Sequence, residues 1–490
     1  MKRSLMIGLA GVATIVGTAA MADLVPAPPP PLAARHAFAQ DDCKSALPLA
    51  RQARDASPAL TGNDLMWTND IIVACEARAG DEDRMYQDAL KATASDPSSP
   101  YVWRMRLFHE MDKARFDKML VTIETMARSR QAALNALPIR LAFELHQRLD
   151  RAGDSADDFR LLKVLGTIYT PNEPFADVEG LRLLYARKLY ARSEKAAATD
   201  LVNAIHGFSG LEALSVDPDL RALRVSNLDL SAAAEREYAD DQALLARNPE
   251  SLDGVIHVAD DLRRLGRYQD ALALLESVRA KVGKPGFSDG LEQQTWWWDS
   301  LAETYLLLGD YPHMVENYRA AIALGENGGA NISQLLNLAV EQIRFGHYQE
   351  ALDTLANAKS GPDSISPYGE MVLHYAHGCA ATLAGGLNDA AADLDYVAAH
   401  EKDGSLSAAG LFLCAGDIDR GAAILVHALN DADHRAGALE MLATYRPDAT
   451  NVPPDPAAKR IPELLARPDI RAAVAKAGGV PNFPFRRDEL

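Results

Sequence analysis

Gly266-Arg-Tyr268-Gln-Asp-Ala271, Gly309-Asp-Tyr311-Pro-His-Met314 and Gly346-His-Tyr348-Gln-Glu-Ala351 repeat one pattern in the middle of the chain. Each glycine follows an apolar stretch of helical spacing, and each tyrosine opens another. Glycine ends a helix cheaply because a left-handed backbone costs it nothing sterically. The tyrosine plugs the base of the next helix. Helix, short turn and helix, recurring every few tens of residues, is the sequence signature of a helical solenoid. Such an array presents an extended binding surface.

Working outward, Trp298-x-x-Leu301-Ala302-x-x-Tyr305, followed by Gly309, Tyr311 and Tyr318, resembles the tetratricopeptide repeat. Ala302 stands where that family favours glycine, and Met314 where it favours alanine. The unit around Gly346 supplies Leu335, Leu338, Ala339, Ala351, Leu355 and Ala358. The unit around Gly266 supplies Val255, Val258, Ala259, Leu262, Ala271 and Leu275. Weaker copies carry Gly80 and Pro97, or Gly378, Gly385, Leu387, Ala390 and Leu394. Between roughly 100 and 235 the helical spacing continues while the signature residues drift. The resemblance implies an all-α, α-α superhelical solenoid of tetratricopeptide-like hairpins over 36–445, clearest over 252–400. The spacing is uneven, with 43 residues from Gly266 to Gly309 and 37 from Gly309 to Gly346. The extra length falls in Lys281–Gly290, a loop with glycine and proline.

The ends of the chain read differently. Residues 1–22 have Lys2 and Arg3, an apolar run and Ala20-Met21-Ala22, the layout of a secretory signal peptide. Residues 23–35 contain a proline run and are expected to be a stiff linker. Residues 446–490 are proline-rich and are expected outside the solenoid, with short helices near Ile461–Ala466 and Pro468–Ala477 as a cap. The predicted location is the periplasm or the secreted space of a bacterium, from the alanine-rich, arginine-over-lysine composition. The terminal Arg487-Asp488-Glu489-Leu490 keeps the ER lumen as the alternative.

The formal charge of −18 opposes nucleic acid and anionic lipid as partners. No other stretch is apolar enough to insert in a membrane after signal cleavage. Catalytic patterns break off at specific residues. His109-Glu110 lacks the second histidine of a zinc helix, and Gly207-Phe-Ser209-Gly210 is too short for a nucleophile elbow. Gly325-Glu-Asn-Gly328-Gly329 lacks the lysine of a phosphate loop. The reading is therefore a non-enzyme with no cofactor and no metal. The four cysteines form two near pairs, Cys43 with Cys75 and Cys379 with Cys414, each about one repeat apart. They are either two bridges between neighbouring units or four buried thiols.

In the resembled family the first helix of each hairpin lines the concave face. That implies ligand-groove candidates Asp260, Arg263, Arg264, Asp299, Glu303, Asn337 and Arg344, with the aromatics Trp296 and Tyr375. The family's carboxylate clamp is not carried over, because Asp260, Glu303 and Val340 occupy the places of its asparagines. Trp296-Trp297-Trp298 cannot all enter one core stripe, since successive helical residues point about 100° apart. Trp298 matches the structural tryptophan of the repeat, and Trp297 packs on the preceding unit. Trp296 is either a groove anchor or packing under the 281–290 loop. The function expected is a periplasmic adaptor or scaffold that holds a protein or an extended peptide. The alternatives are a carbohydrate-handling scaffold of an envelope export machine, or an enzyme-associated repeat region with activity in 100–235.

Overall fold

The computed structural model describes residues 29–56, 59–95, 99–325, 331–358, 365–432, 434–446 and 452–485. The expected signal peptide lies outside the described residues. These residues form 27 α-helices and no strand beyond two isolated bridges. The chain divides into a first unit ending at Lys188 and a second beginning at Leu189.

The first unit contains α1 (Pro30–Ala39), α2 (Cys43–Arg54), α3 (Gly62–Arg78), α4 (Glu82–Ser95), α5 (Pro100–Asp112), α6 (Phe116–Ser129), α7 (Gln131–Asn135), α8 (Ile139–Arg151), α9 (Ser155–Thr167) and all but the last turn of α10 (Glu179–Ala191). Consecutive helices pair as hairpins, and α1, α3 and α5 also pack on one another in order. α1 begins inside the segment expected as a linker over 23–35. Pro30 and Pro31 sit in the first turn of α1, where the missing N–H has no partner to lose. Ala34 is then fully buried against Ala46, Ala50 and Ile71. Cys43 and Cys75 are bonded, joining α2 to α3 with Cα atoms 5.3 Å apart.

The second unit runs through α11 (Lys195–Asn203), α12 (Phe208–Ser215), α13 (Pro218–Arg221), α14 (Leu230–Arg247), α15 (Leu252–Arg264), α16 (Tyr268–Val278), α17 (Gly290–Leu307), α18 (Tyr311–Ala323), α19 (Ile332–Arg344) and α20 (Tyr348–Leu355). It continues with α21 (Pro367–Leu383), α22 (Ala391–Ala399), α23 (Ser405–Cys414), α24 (Ile418–Asn430), α25 (Arg435–Leu442), α26 (Ile461–Ala466) and α27 (Pro468–Lys476). The hairpins α15/α16, α17/α18, α19/α20, α21/α22 and α23/α24 follow the repeat; α15 packs on α17, α18 on α19, α19 on α21 and α21 on α23. The architecture is an all-α array of tetratricopeptide-like hairpins. A bond between Cys379 and Cys414, with Cα atoms 5.6 Å apart, ties α21 to α23.

Local chemistry explains these elements. Leu252, Val255, Ala259 and Leu262 recur at helical spacing and are buried with Ala271, Leu275, Trp297 and Leu301. Asp310 accepts from the His313 N–H and so caps α18. Asp289 reaches back to accept from the Leu252 and Asp253 N–H groups, so the loop of one hairpin caps the start of the previous one. Gly309 turns the chain at φ +74°. Between 100 and 235 Gly153 (φ +71°) still turns α8 into α9, but two turns lack glycine: Ala114 (φ +51°) joins α5 to α6, and Ser193 (φ +63°) joins α10 to α11. The fold therefore outlasts its signature there at the cost of local backbone strain.

The segment after Tyr445 departs from the expectation that it lies outside the array. Val452 belongs to the buried cluster of Ala302, Leu306, Met314, Tyr318 and Leu338. α27 packs on α24. Phe485 meets Phe208 edge-on at 5.1 Å, and Arg221 donates to the Gly478 carbonyl at 3.2 Å. Proline prevents long helices here but does not prevent burial, and the apolar side chains between the prolines find partners across the second unit.

Candidate functional site

The inner faces of α15, α17, α19 and α21 carry the candidate site. Residues three, four and seven apart share one helix face. Trp296, Asp299 and Glu303 therefore line α17, and Asn337, Glu341 and Arg344 line α19. The apolar residues beside them on these helices pack in the core clusters.

Arg263 is the hub. Its side chain is 10% exposed and pairs with Asp260 at 2.8 Å and Glu303 at 2.6 Å. It also donates to the Ser300 carbonyl at 2.9 Å and to the Thr304 hydroxyl at 3.3 Å. A planar guanidinium with five donors suits this many acceptors. Arg263 is thus committed inside the wall between α15 and α17. Asn337 donates to Asp299 at 3.3 Å, and Arg344 is buried against Glu341 at 3.2 Å. Burial is the main force raising the Asp299 carboxyl above its ordinary range, and Asp260 adds repulsion. Glu303 is raised likewise by the surrounding protein, Asp299 and Asp260, against the pull of Arg263. Tyr318 lies beneath, its hydroxyl pushed well up by burial and by these carboxylates. With both guanidinium groups engaged inside, the exposed remainder of this face is acidic.

The sequence candidates divide between two places. Asp260, Arg263, Asp299, Glu303, Asn337 and Arg344 belong to the cluster just described, and Trp296 is half exposed on the same face of α17. Arg264 turns away, because the next residue along a helix points about 100° round. It pairs with Asp261 at 2.7 Å and Glu237 at 3.1 Å and lies 4.2 Å over the Phe208 ring. Of the tryptophans, Trp297 is fully buried among the α15/α16 side chains. Trp298 is partly buried, edge-on to Trp297 at 4.7 Å, with Arg279 over both rings.

Tyr375 faces a partner far along the chain. Its hydroxyl donates to Asp455 at 2.9 Å. Burial, then Asp455 itself, raises this phenol well above its usual range, so it remains a donor. The other Asp455 oxygen accepts from the Ala457 N–H at 2.8 Å. Next to this contact lies a cavity of about 590 Å³, walled by Glu212 of α12, Tyr375, Gly410 of α23, Glu440 of α25, Tyr445 and Asp455. Burial and then Glu440 push the Glu212 carboxyl to about 7. Arg446 N–H donates to the Phe485 carbonyl at 2.8 Å and Phe483 N–H to the Thr444 carbonyl at 2.9 Å. These bonds close the tail onto the base of its own segment.

Sequence reasoning missed Ser300 and Thr304, which read as ordinary helix polar residues, and missed Val452 and Asp455 altogether. The one available signal was an aliphatic residue held between prolines in Asn451-Val452-Pro-Pro-Asp455-Pro456. Among the described residues no cluster of side chains fits a metal ion, and no helix is long and apolar enough to cross a membrane.

No protein-family model matches the chain, and no curated protein sequence matches it. Among solved structures it is similar to the anaphase-promoting complex hetero-tetramer Cut9–Hcn1, at 15% identity and a TM-score of 0.31, over 91% of this chain and 95% of that one. It is also similar to yeast Tom70, at 11% identity and a TM-score of 0.35, over 90% and 97%.

Proposed function

We propose that the chain is an exported, periplasmic scaffold without catalytic activity that holds an extended segment of a partner protein along the inner faces of α15, α17, α19 and α21. One observation carries this reading. The chain's own residues 452–455 lie on this surface as irregular backbone, with Val452 in the wall cluster and Asp455 on Tyr375. Val452, Pro453 and Asp455 each precede a proline and so favour extended backbone. The surface therefore accepts an extended chain by side-chain insertion and by hydrogen bonds. Export is supported by the layout of residues 1–22 and by the two disulfides, which persist in oxidising compartments.

The test is photo-crosslinking from position 296 in envelope extract, followed by mass spectrometry of the captured species. The expected result is a protein crosslinked through an extended stretch and lost on Glu303→Lys. Half-exposed Trp296 is also the kind of ring that stacks on a sugar. Retention of glycan with no protein crosslink would replace this reading with the carbohydrate-handling one.

A further inference from the structure

The first helices of the hairpins do not follow one another evenly. α15 packs closely on α17, and α19 on α21, but α17 and α19 do not pack closely on each other. Asn337 spans that gap by donating to Oδ1 of Asp299 at 3.3 Å. One turn before Asn337, on the same face of α19, stands Gln334. It is fully buried, and among the described residues neither its amide nitrogen nor its amide oxygen has a hydrogen-bond partner. A buried amide left unpaired is costly, and nearly all buried amides are paired. This one lies beside Asp299 and lowers its carboxyl against the rise that burial causes.

The charges around the gap do not balance. Asp260, Asp299 and Glu303 face one guanidinium, that of Arg263, while Glu341 is matched by Arg344 at 3.2 Å. Arg263 takes Oε2 of Glu303, and Asn337 takes Oδ1 of Asp299. The second oxygen of each carboxylate has no hydrogen-bond partner among the described residues. Arg263 shows what fits such a place. It fills the step between α15 and α17 with a planar group that donates to carboxylate, hydroxyl and carbonyl at once. Three residues before the turn glycine, where α15 has Arg263, α17 has Leu306. From that position the chain supplies no arginine of its own to the next step.

Resting on the scaffold reading above, we infer that the partner segment places an arginine in the gap between α17 and α19, its guanidinium donating to Asp299, Glu303 and the Gln334 amide oxygen. Trp296 lies on the same face of α17 and is half exposed, so its ring is open to stack on that guanidinium. The Glu303 side chain is 40% exposed, which leaves the approach open to solvent. A lysine brings the charge without the planar fork that spans several acceptors and stacks on a ring. Arginine and tryptophan are also the residues that most often anchor protein interfaces.

The experiment uses the full oxidised chain labelled with fluorotryptophan and followed by fluorine NMR. The Trp296 signal is assigned with Trp296→Phe. The probes are N-acetyl-arginine methylamide, its lysine analogue and its uncharged citrulline analogue. The arginine probe should shift the Trp296 signal saturably, the lysine probe more weakly and the citrulline probe not at all. Asp299→Asn and Gln334→Leu should each weaken arginine binding about tenfold. Asp270→Asn, at an exposed carboxylate of α16, should leave it unchanged. Gln334→Leu should melt no lower than the natural protein, because an apolar group replaces an unpaired amide. A Gln334→Leu protein that melts lower and binds arginine as before would make the amide structural and overturn the inference. No shift with arginine, or an equal response to lysine or citrulline, would also overturn it; the scaffold reading stands in each case. The stretches crosslinked from position 296 supply the second arm. Captured stretches that hold an arginine support the inference, and captured stretches without one overturn it and leave the scaffold reading. Capture of no protein overturns the scaffold reading, and the partner arginine with it, even where the arginine probe binds.

Discussion

Ala114 and Gly309 occupy the same turn in two different hairpins, and exchanging their residue types should shift stability in opposite directions. Both have left-handed backbone, at φ +51° and +74°. Both turns close with matching hydrogen bonds: Ala114 to Met111 and Arg115 to Glu110 in one, Gly309 to Leu306 and Asp310 to Tyr305 in the other. A Cβ added at Gly309 meets nothing within 4 Å, so packing does not enter. What remains is backbone energy. A side chain in the left-handed region costs roughly 1–2 kcal/mol. Glycine costs about 0.4–1 kcal/mol through the greater freedom of the unfolded chain. Ala114→Gly should therefore stabilise α5 and α6 by about 0.5–1 kcal/mol, and Gly309→Ala should destabilise α17 and α18 by a similar amount. Hydrogen exchange read by mass spectrometry reports local opening, which suits an array whose hairpins need not unfold together. Shifts of the same sign in the two variants, or destabilisation by Ala114→Gly, would refute the strain argument.

Replacing Cys379 and Cys414 with serine should lower the stability of the second unit by about 3–4 kcal/mol, given a loop of roughly 35 residues; alkylation of the native protein should find no free thiol there. Phe485→Ala should cost about 3–5 kcal/mol and speed exchange in α12, since Phe485 is 3% exposed and packs edge-on against Phe208; unchanged exchange would show that the tail is not a clasp. Stability should peak near pH 5 and fall toward pH 8. Burial raises Glu76 and Glu212 to about 7 and Asp261 to about 8, so the folded chain holds more protons than the unfolded one across that window and loses stability as pH rises. Asp158 and Asp393, lowered by their histidine partners despite burial, act in the opposite sense and remove stability as pH falls below about 4. A melting temperature that rises from pH 5 to 8 would contradict the assignment, and Asp261→Asn should flatten the slope.

The sequence by itself determined the hairpins of the second unit. A helix, its cap and its turn are decided within about ten residues, and the Gly309-Asp310-Tyr311 turn carries all three. It also brought Asp260, Asp299, Glu303 and Asn337 to one face, because helical period is a local property. It could not separate Arg263 from Arg264, since the neighbours that take them, Glu303 on one side and Glu237 on the other, lie on different helices. It lost the repeat between 100 and 235, where Ala114 and Ser193 hold two of the turns under strain that no residue pattern announces. Only the tertiary structure decided the path of the tail. Tyr375 and Asp455 are 80 residues apart, and Arg221 and Gly478 are 257 apart. Such contacts depend on how small rotations accumulate from hairpin to hairpin across the second unit, and on which apolar side chain is left to fill the place that remains. No local pattern encodes that sum, so a proline-rich segment that reads as an appendage becomes part of the wall it crosses.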